Sequence, residues 1–200
     1  MRRCVRLIAL CSVLVPVLAR AEAPWLDEPA NRGRLAAGEI LVHLAPDGKH
    51  VAAAVSIRAP AEVVWQVITD CENAPRFMPG MKACRRLEAA PDGSWENIER
   101  EFKYSWLMPS AHDIVRTEYH PPERIDFHRV SGDFRDERGA WVLSAAADPS
   151  TTVLEYDFYI DLGFWLPHSL IQHSLRSELP AAMKAVRSRA EATHAPSASR

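Results

Sequence analysis

Between residues 38 and 192 the spacing of apolar positions changes repeatedly, and each change marks an element. The segment "GEILVHLAPDGKHVAAAVSI" holds two strand-like runs, 39–45 and 50–57, around the turn signal Pro46-Asp47-Gly48. That pattern predicts a hairpin. After Ala59-Pro60, residues 61–69 place Val64, Trp65 and Ile68 at helical spacing, with Pro60 suited to a first turn. The run ends near Asp70 or Cys71. "ENAPRFMPG" follows, and Pro75 and Pro79 leave room for one short helical turn between them.

From Met81 onward the period becomes two. "MKACRRLEAA" is closed by Pro91-Asp92-Gly93, and "SWENIEREFKYSW" puts Ile98, Phe102, Tyr104 and Trp106 on one face. Four further runs, 111–119, 124–130, 135–145 and 151–161, are separated by turn residues. In the last of them Leu154, Tyr156, Phe158 and Ile160 alternate with Glu155, Asp157 and Asp161. This is the pattern of an antiparallel sheet with one dry and one wet face. Beyond Gly163 the period lengthens again. Leu166, Leu170, Leu175, Leu179, Ala182, Met183, Val186 and Ala190 recur every three or four residues, predicting a long amphipathic helix with Pro180 inside it. Such a helix is the one element long enough to cover the dry face, so the expected fold is α+β: a curved antiparallel sheet around a C-terminal helix, with two short helices after the first strands. Residues 22–37 are expected to be an irregular lead-in, 38–192 the folded domain and 193–200 a disordered tail.

The first residues read differently. Arg2, Arg3 and Arg6 precede the apolar run "LIALCSVLVPVLA", which ends in Ala19-Arg20-Ala21. A basic start, a short apolar stretch and small residues at the cut describe a secretory signal peptide over residues 1–21. Its 13 apolar-run residues are fewer than the roughly 20 needed to span a bilayer. The expected product is exported, periplasmic or secreted, with no stable membrane insertion after cleavage. Removing four arginines and no acid leaves 20 basic against 26 acidic residues, a charge of −6. Nucleic acid is therefore not the expected partner.

Two cysteines, Cys71 and Cys84, remain after that cut. In an oxidising compartment they suit one disulfide, and two buried thiols packing as small hydrophobes is the other reading. No zinc-ligand spacing accompanies them, and no metal or cofactor is expected. The sequence also lacks a nucleophile elbow, a phosphate loop and a dinucleotide fingerprint. Glu99 and Glu101 fall opposite the apolar face of their strand, and His112 and Asp113, as neighbours in a strand, point to opposite sides.

The order of elements, with "IRAPAEVVWQVITDCENAPRFMPGMKACRRLE", "GDFRDERGAWVLSAA" and "TTVLEYDFYIDLGFWLP", resembles the START-like superfamily. Within it the chain is most similar to the polyketide cyclase/dehydrase group and the coenzyme Q-binding START-type domains. The resemblance implies a helix-grip fold with an apolar cavity between sheet and helix. It also implies a lipid, quinone, sterol or polyketide as the kind of molecule held there. No shared catalytic signature comes with it, so binding of a hydrophobic small molecule or lipid is favoured over catalysis. The alternative is an aromatase/cyclase- or dehydrase-like enzyme using the same cavity.

Phase selects the candidate cavity residues: Ile98, Arg100, Phe102, Tyr104 and Trp106 on one strand, Leu154, Tyr156 and Phe158 on another, and Leu170 and Met183 on the long helix. Arg100 is the informative polar member. On a dry face its guanidinium must find a partner, reach the rim, or meet a ligand carboxylate, phosphate or carbonyl. Phe77, Met78, Phe164 and Trp165, beside Pro and Gly where loops approach the helix start, are the candidate gate residues.

Overall fold

The computed structural model describes residues 24–103, 110–163 and 168–195. Among them, β1 (Leu41–Leu44) and β2 (His50–Ile57) form the expected hairpin, followed by α2 (Ala61–Thr69) and a 3-10 turn over Cys71–Arg76. Strands β3 (Met81–Ala89), β4 (Trp95–Phe102), β5 (Ala111–His120), β6 (Arg124–Gly132), β7 (Asp136–Ala145) and β8 (Thr152–Asp161) then lead to α3 (His168–His194). The sheet is antiparallel, in the order β1-β2-β8-β7-β6-β5-β4-β3. The chain thus leaves β2 through α2, starts again at the far edge with β3, and walks back until β8 pairs with β2. The architecture is the expected α+β helix-grip arrangement.

The lead-in is a correction. Instead of being irregular, it holds a 3-10 turn over Pro24–Asp27 and a helix, α1, over Pro29–Ala36. Pro29 fits a first helical turn, but burial supplies the larger reason. Leu35 closes over Leu41 and Ala54, with Trp25, Leu26 and Val153 packed around them. These residues cover the outer face of the sheet at β1, β2 and β8. That explains why β2 reads as a continuous run of small apolar residues: its inner face meets α3 and its outer face meets α1.

The inner core is concentrated at the same end. Val51, Val55, Ile57, Val64, Leu154, Met183 and Val186 are each at most 2% exposed. They join sheet, α2 and α3 in one cluster. Full burial of side chains of this size contributes about 1.5–3 kcal/mol each. Because α3 packs on β1, β2 and α2, it stands away from the middle of the sheet. The concave face of β4 to β7 is left uncovered on that side. β3, at the edge, is mostly exposed and carries Lys82, Arg85 and Arg86, charges that discourage edge-to-edge pairing.

Candidate functional site

The uncovered concave face encloses a cavity of about 270 Å³. This lies just under the roughly 300–1,000 Å³ of typical small-molecule pockets. β4 to β8 form its floor, α3 its roof, and the end of α2 with the 71–81 segment its side.

One wall is aromatic. Tyr156 stacks on Trp141 at 4.0 Å between ring centroids, on Phe158 at 4.9 Å and on Phe127 at 5.9 Å. Gly139 makes this wall possible. A Cβ there would lie 2.2 Å from the Asp157 carbonyl oxygen and 2.7 Å from the Phe127 ring. Only a residue without a side chain lets β7 pass beneath the rings.

The polar end is built around Arg100. Across the β4–β5 ladder Arg100 is the direct partner of Asp113. Its Nε donates to Asp113 Oδ1 at 2.9 Å and its Nη2 to Oδ2 at 2.7 Å. Nη2 also donates to Glu137 Oε1 on β7 at 2.8 Å. Asp113 is fully buried, Glu137 is 6% exposed at its side chain, and Arg100 keeps 16%. Arg100 and Glu137 line the cavity. Burial works against the guanidinium charge, but Glu137 and Asp113 outweigh it and hold Arg100 well above its ordinary pKa. Burial raises Glu137 most; Arg100 opposes this, Asp113 adds to it, and the result is about 7. Glu137 Oε2 accepts no hydrogen bond. Its carboxyl is within hydrogen-bonding reach of Asp113, so a proton on Glu137 turns that orphan acceptor into a donor. Gly132 holds Asp113 in place from β6, at φ +127°, where a Cβ would come within 2.5 Å of the Asp113 Cα.

A second buried network borders the cavity. Glu96, 3% exposed, accepts from the Tyr119 hydroxyl and from Arg86 Nε. Burial and then the bond to Glu96 push the Tyr119 hydroxyl far up, so it stays protonated. Among the described residues no cluster of three or more His, Cys, Asp or Glu is arranged to hold a metal ion.

Of the residues singled out from the sequence, Ile98, Arg100, Phe102, Tyr156 and Phe158 line the cavity together, as do Phe77 and Met78. Leu154 and Met183 do not: both are fully buried in the packed core where α3 meets the sheet. Leu170 is 37% exposed, because the first turns of α3 precede the stretch that packs. Tyr104, Trp106, Phe164 and Trp165, and residues 1–21, lie outside the described residues. Cys71 and Cys84 form a disulfide, and both line the cavity. With Arg100 already gripped by protein carboxylates, a ligand carboxylate or phosphate is not what balances its charge. Glu137 and Glu96 are not among the sequence candidates, and Asp113 is set aside there with His112. Glu96 is in phase with Ile98 and Arg100, and Asp113 with Val115 and Thr117, so alternation was the signal available for both.

A family model described as polyketide cyclase/dehydrase and lipid transport matches residues 57–187. Among solved structures, a START superfamily protein from Mycobacterium smegmatis is similar, with 22% identity and a TM-score of 0.63 over 72% of this chain and 99% of that one. A STAR-related lipid transfer protein from Xanthomonas axonopodis gives 18% identity and 0.63, over 76% of this chain and 93% of that one. The ZhuI aromatase/cyclase from Streptomyces sp. R1128 gives 19% and 0.59, over 72% and 93%. Curated protein sequences yield no match. At these identities the solved structures establish a shared fold.

Proposed function

The chain belongs to the polyketide cyclase/dehydrase and lipid transport family, and from that premise we propose that it binds a hydrophobic small molecule or lipid in the cavity between sheet and α3. The observation that carries this reading is the open space itself: about 270 Å³ left between a stacked aromatic wall and the helix, in a domain whose other end is tightly packed. Apolar walls with a few placed polar groups are the usual makeup of a small-molecule site. A quinone is one member of the ligand class such walls accommodate, and the role would be transport or sequestration. Native mass spectrometry of the purified protein, followed by organic extraction, tests it. An apolar molecule recovered in stoichiometric amount supports binding; an empty protein that takes up no apolar probe overturns it.

Glu137 favours a second reading. A buried carboxyl lining the cavity and titrating near neutrality meets the requirement for a general acid or base, as an aromatase/cyclase- or dehydrase-like reaction would need. Turnover of a polyketide-type substrate that Glu137→Gln abolishes without loss of binding would establish catalysis.

Export is part of the same proposal. The basic, apolar and small-residue order of residues 1–21 and the Cys71–Cys84 bridge support it, since disulfides persist in oxidising compartments. N-terminal sequencing of the protein from its own host should find Glu22 first; Met1 retained in the cytoplasm would refute it.

A further inference from the structure

We infer that this cavity selects an uncharged apolar ligand and rejects anions, by the sign of the charge that lines it and not merely by its dryness. The inference rests on the binding reading above and names the class of molecule bound.

Three charged residues line the space among the described residues: Arg100, Glu137 and, from α3, Glu178. Asp113 lies directly behind Arg100, fully buried and bonded to it through both Nε and Nη2. Asp113 therefore balances the single positive charge even when Glu137 is neutral. With Glu137 neutral, Glu178 leaves the lining at a net negative value; with Glu137 ionised it is more negative still. A carboxylate or phosphate entering this space finds no uncompensated cation. It would also compete with Asp113 and Glu137 for a guanidinium they already share. Repulsion of this kind is felt over several ångströms in a low-dielectric interior. An uncharged hydroxyl or carbonyl end meets neither penalty and can share the polar end of the cavity with Thr117, which is 7% exposed and lines it too. The placement of unpaired like charge against the wrong ligand is a common source of specificity.

A dry pocket of any kind disfavours charge, so the sign is what must be tested. The experiment is displacement of N-phenylnaphthylamine from the full chain by decanol, decanoate and decylammonium at neutral pH. Decanol should displace the dye at least about tenfold more tightly than decanoate. Decylammonium should fall between them, and Glu178→Gln and Glu137→Gln should each narrow the gap between decanoate and decanol. Decanoate binding as well as decanol overturns the inference, as does equal rejection of decanoate and decylammonium. If the dye itself is not taken up, the binding reading fails and this inference falls with it. The ligand comparison on the unaltered chain decides the matter even if a variant does not fold.

Discussion

Arg100 and Asp113 face each other across the β4–β5 ladder, and the carboxylate takes two hydrogen bonds from one guanidinium, at 2.9 and 2.7 Å. A bidentate pair whose carboxylate is fully buried is costly to break, because removing one partner strands the other's charge. Asp113→Ala should therefore destabilise the fold by roughly 3–5 kcal/mol. Arg85 and Glu99 make the exposed contrast, and Arg85→Ala should cost about 0–1 kcal/mol. Denaturant unfolding of the two variants checks this; equal losses would mean that the buried pair is energetically no different from a surface one.

Glu137 gives the fold a pH dependence of definite sign. In the folded chain burial, opposed by Arg100 and reinforced by Asp113, raises it to about 7, against an ordinary value of 4.5. Between those values the folded chain holds a proton that the unfolded chain has released. Stability must therefore fall as pH rises through that window, by up to roughly 3 kcal/mol. His112, raised by its bond to Glu99, acts in the same direction, so the wild-type curve alone is not diagnostic. Glu137→Gln should remove the Glu137 part and become the relatively more stable form as pH rises from about 5, near the lower end of the window, toward about 8, beyond its upper end. Curves for the two proteins that run parallel would contradict the assignment.

Alternation and period made the element order and the faces of β4 and β8 legible. Leu154, Tyr156, Phe158 and Ile160 do face inward. What period alone does not carry is position along an axis. Leu170 has the right helical phase but precedes the packed part of α3, while Leu154 and Met183 sit where the helix touches the sheet and leaves no space. The polar end was half legible. Arg100 stood out as a charge on a dry face, whereas its partners depend on register between strands. Glu137 lies in "DERG", where charged neighbours blur the alternation that would have marked it. The helix of the lead-in was hidden because its burial comes from the sheet's outer face and not from its own periodicity.

The Cys71–Cys84 bridge ties the segment bearing Phe77 and Met78 to β3, closing a loop with a sequence separation of 13. Replacing both cysteines by serine should lower stability by about 3 kcal/mol on the chain-entropy account. Because both cysteines line the cavity, the dye should also be released faster. Intact mass before and after reduction establishes the bond in the isolated protein, and an unchanged mass would remove the basis for both effects. Unchanged stability in the double variant would mean that strain offsets the loop closure.

Filling the cavity separates ligand binding from folding. Ala182 projects from α3 into the space, one residue before the fully buried Met183, so enlarging it adds volume where there is room and leaves the core contact of Met183 untouched. Ala182→Phe should abolish uptake of N-phenylnaphthylamine while leaving stability unchanged or higher, since the added ring buries apolar surface in an existing void, at about 25 cal/mol for each Å² removed from water. The opposite case is Gly139→Ala, where the new methyl meets the Asp157 carbonyl and the Phe127 ring below contact distance. That substitution should cost about 1–3 kcal/mol through overpacking and should also disturb the aromatic wall. Thermal unfolding and dye titration measure both properties on the same samples. If Ala182→Phe binds the dye as the natural chain does, the dye sits elsewhere and the cavity is not the binding site. If Ala182→Phe instead destabilises as Gly139→Ala does, the space beneath α3 is too small to admit a ring, and an apolar ligand of that width has no place in it.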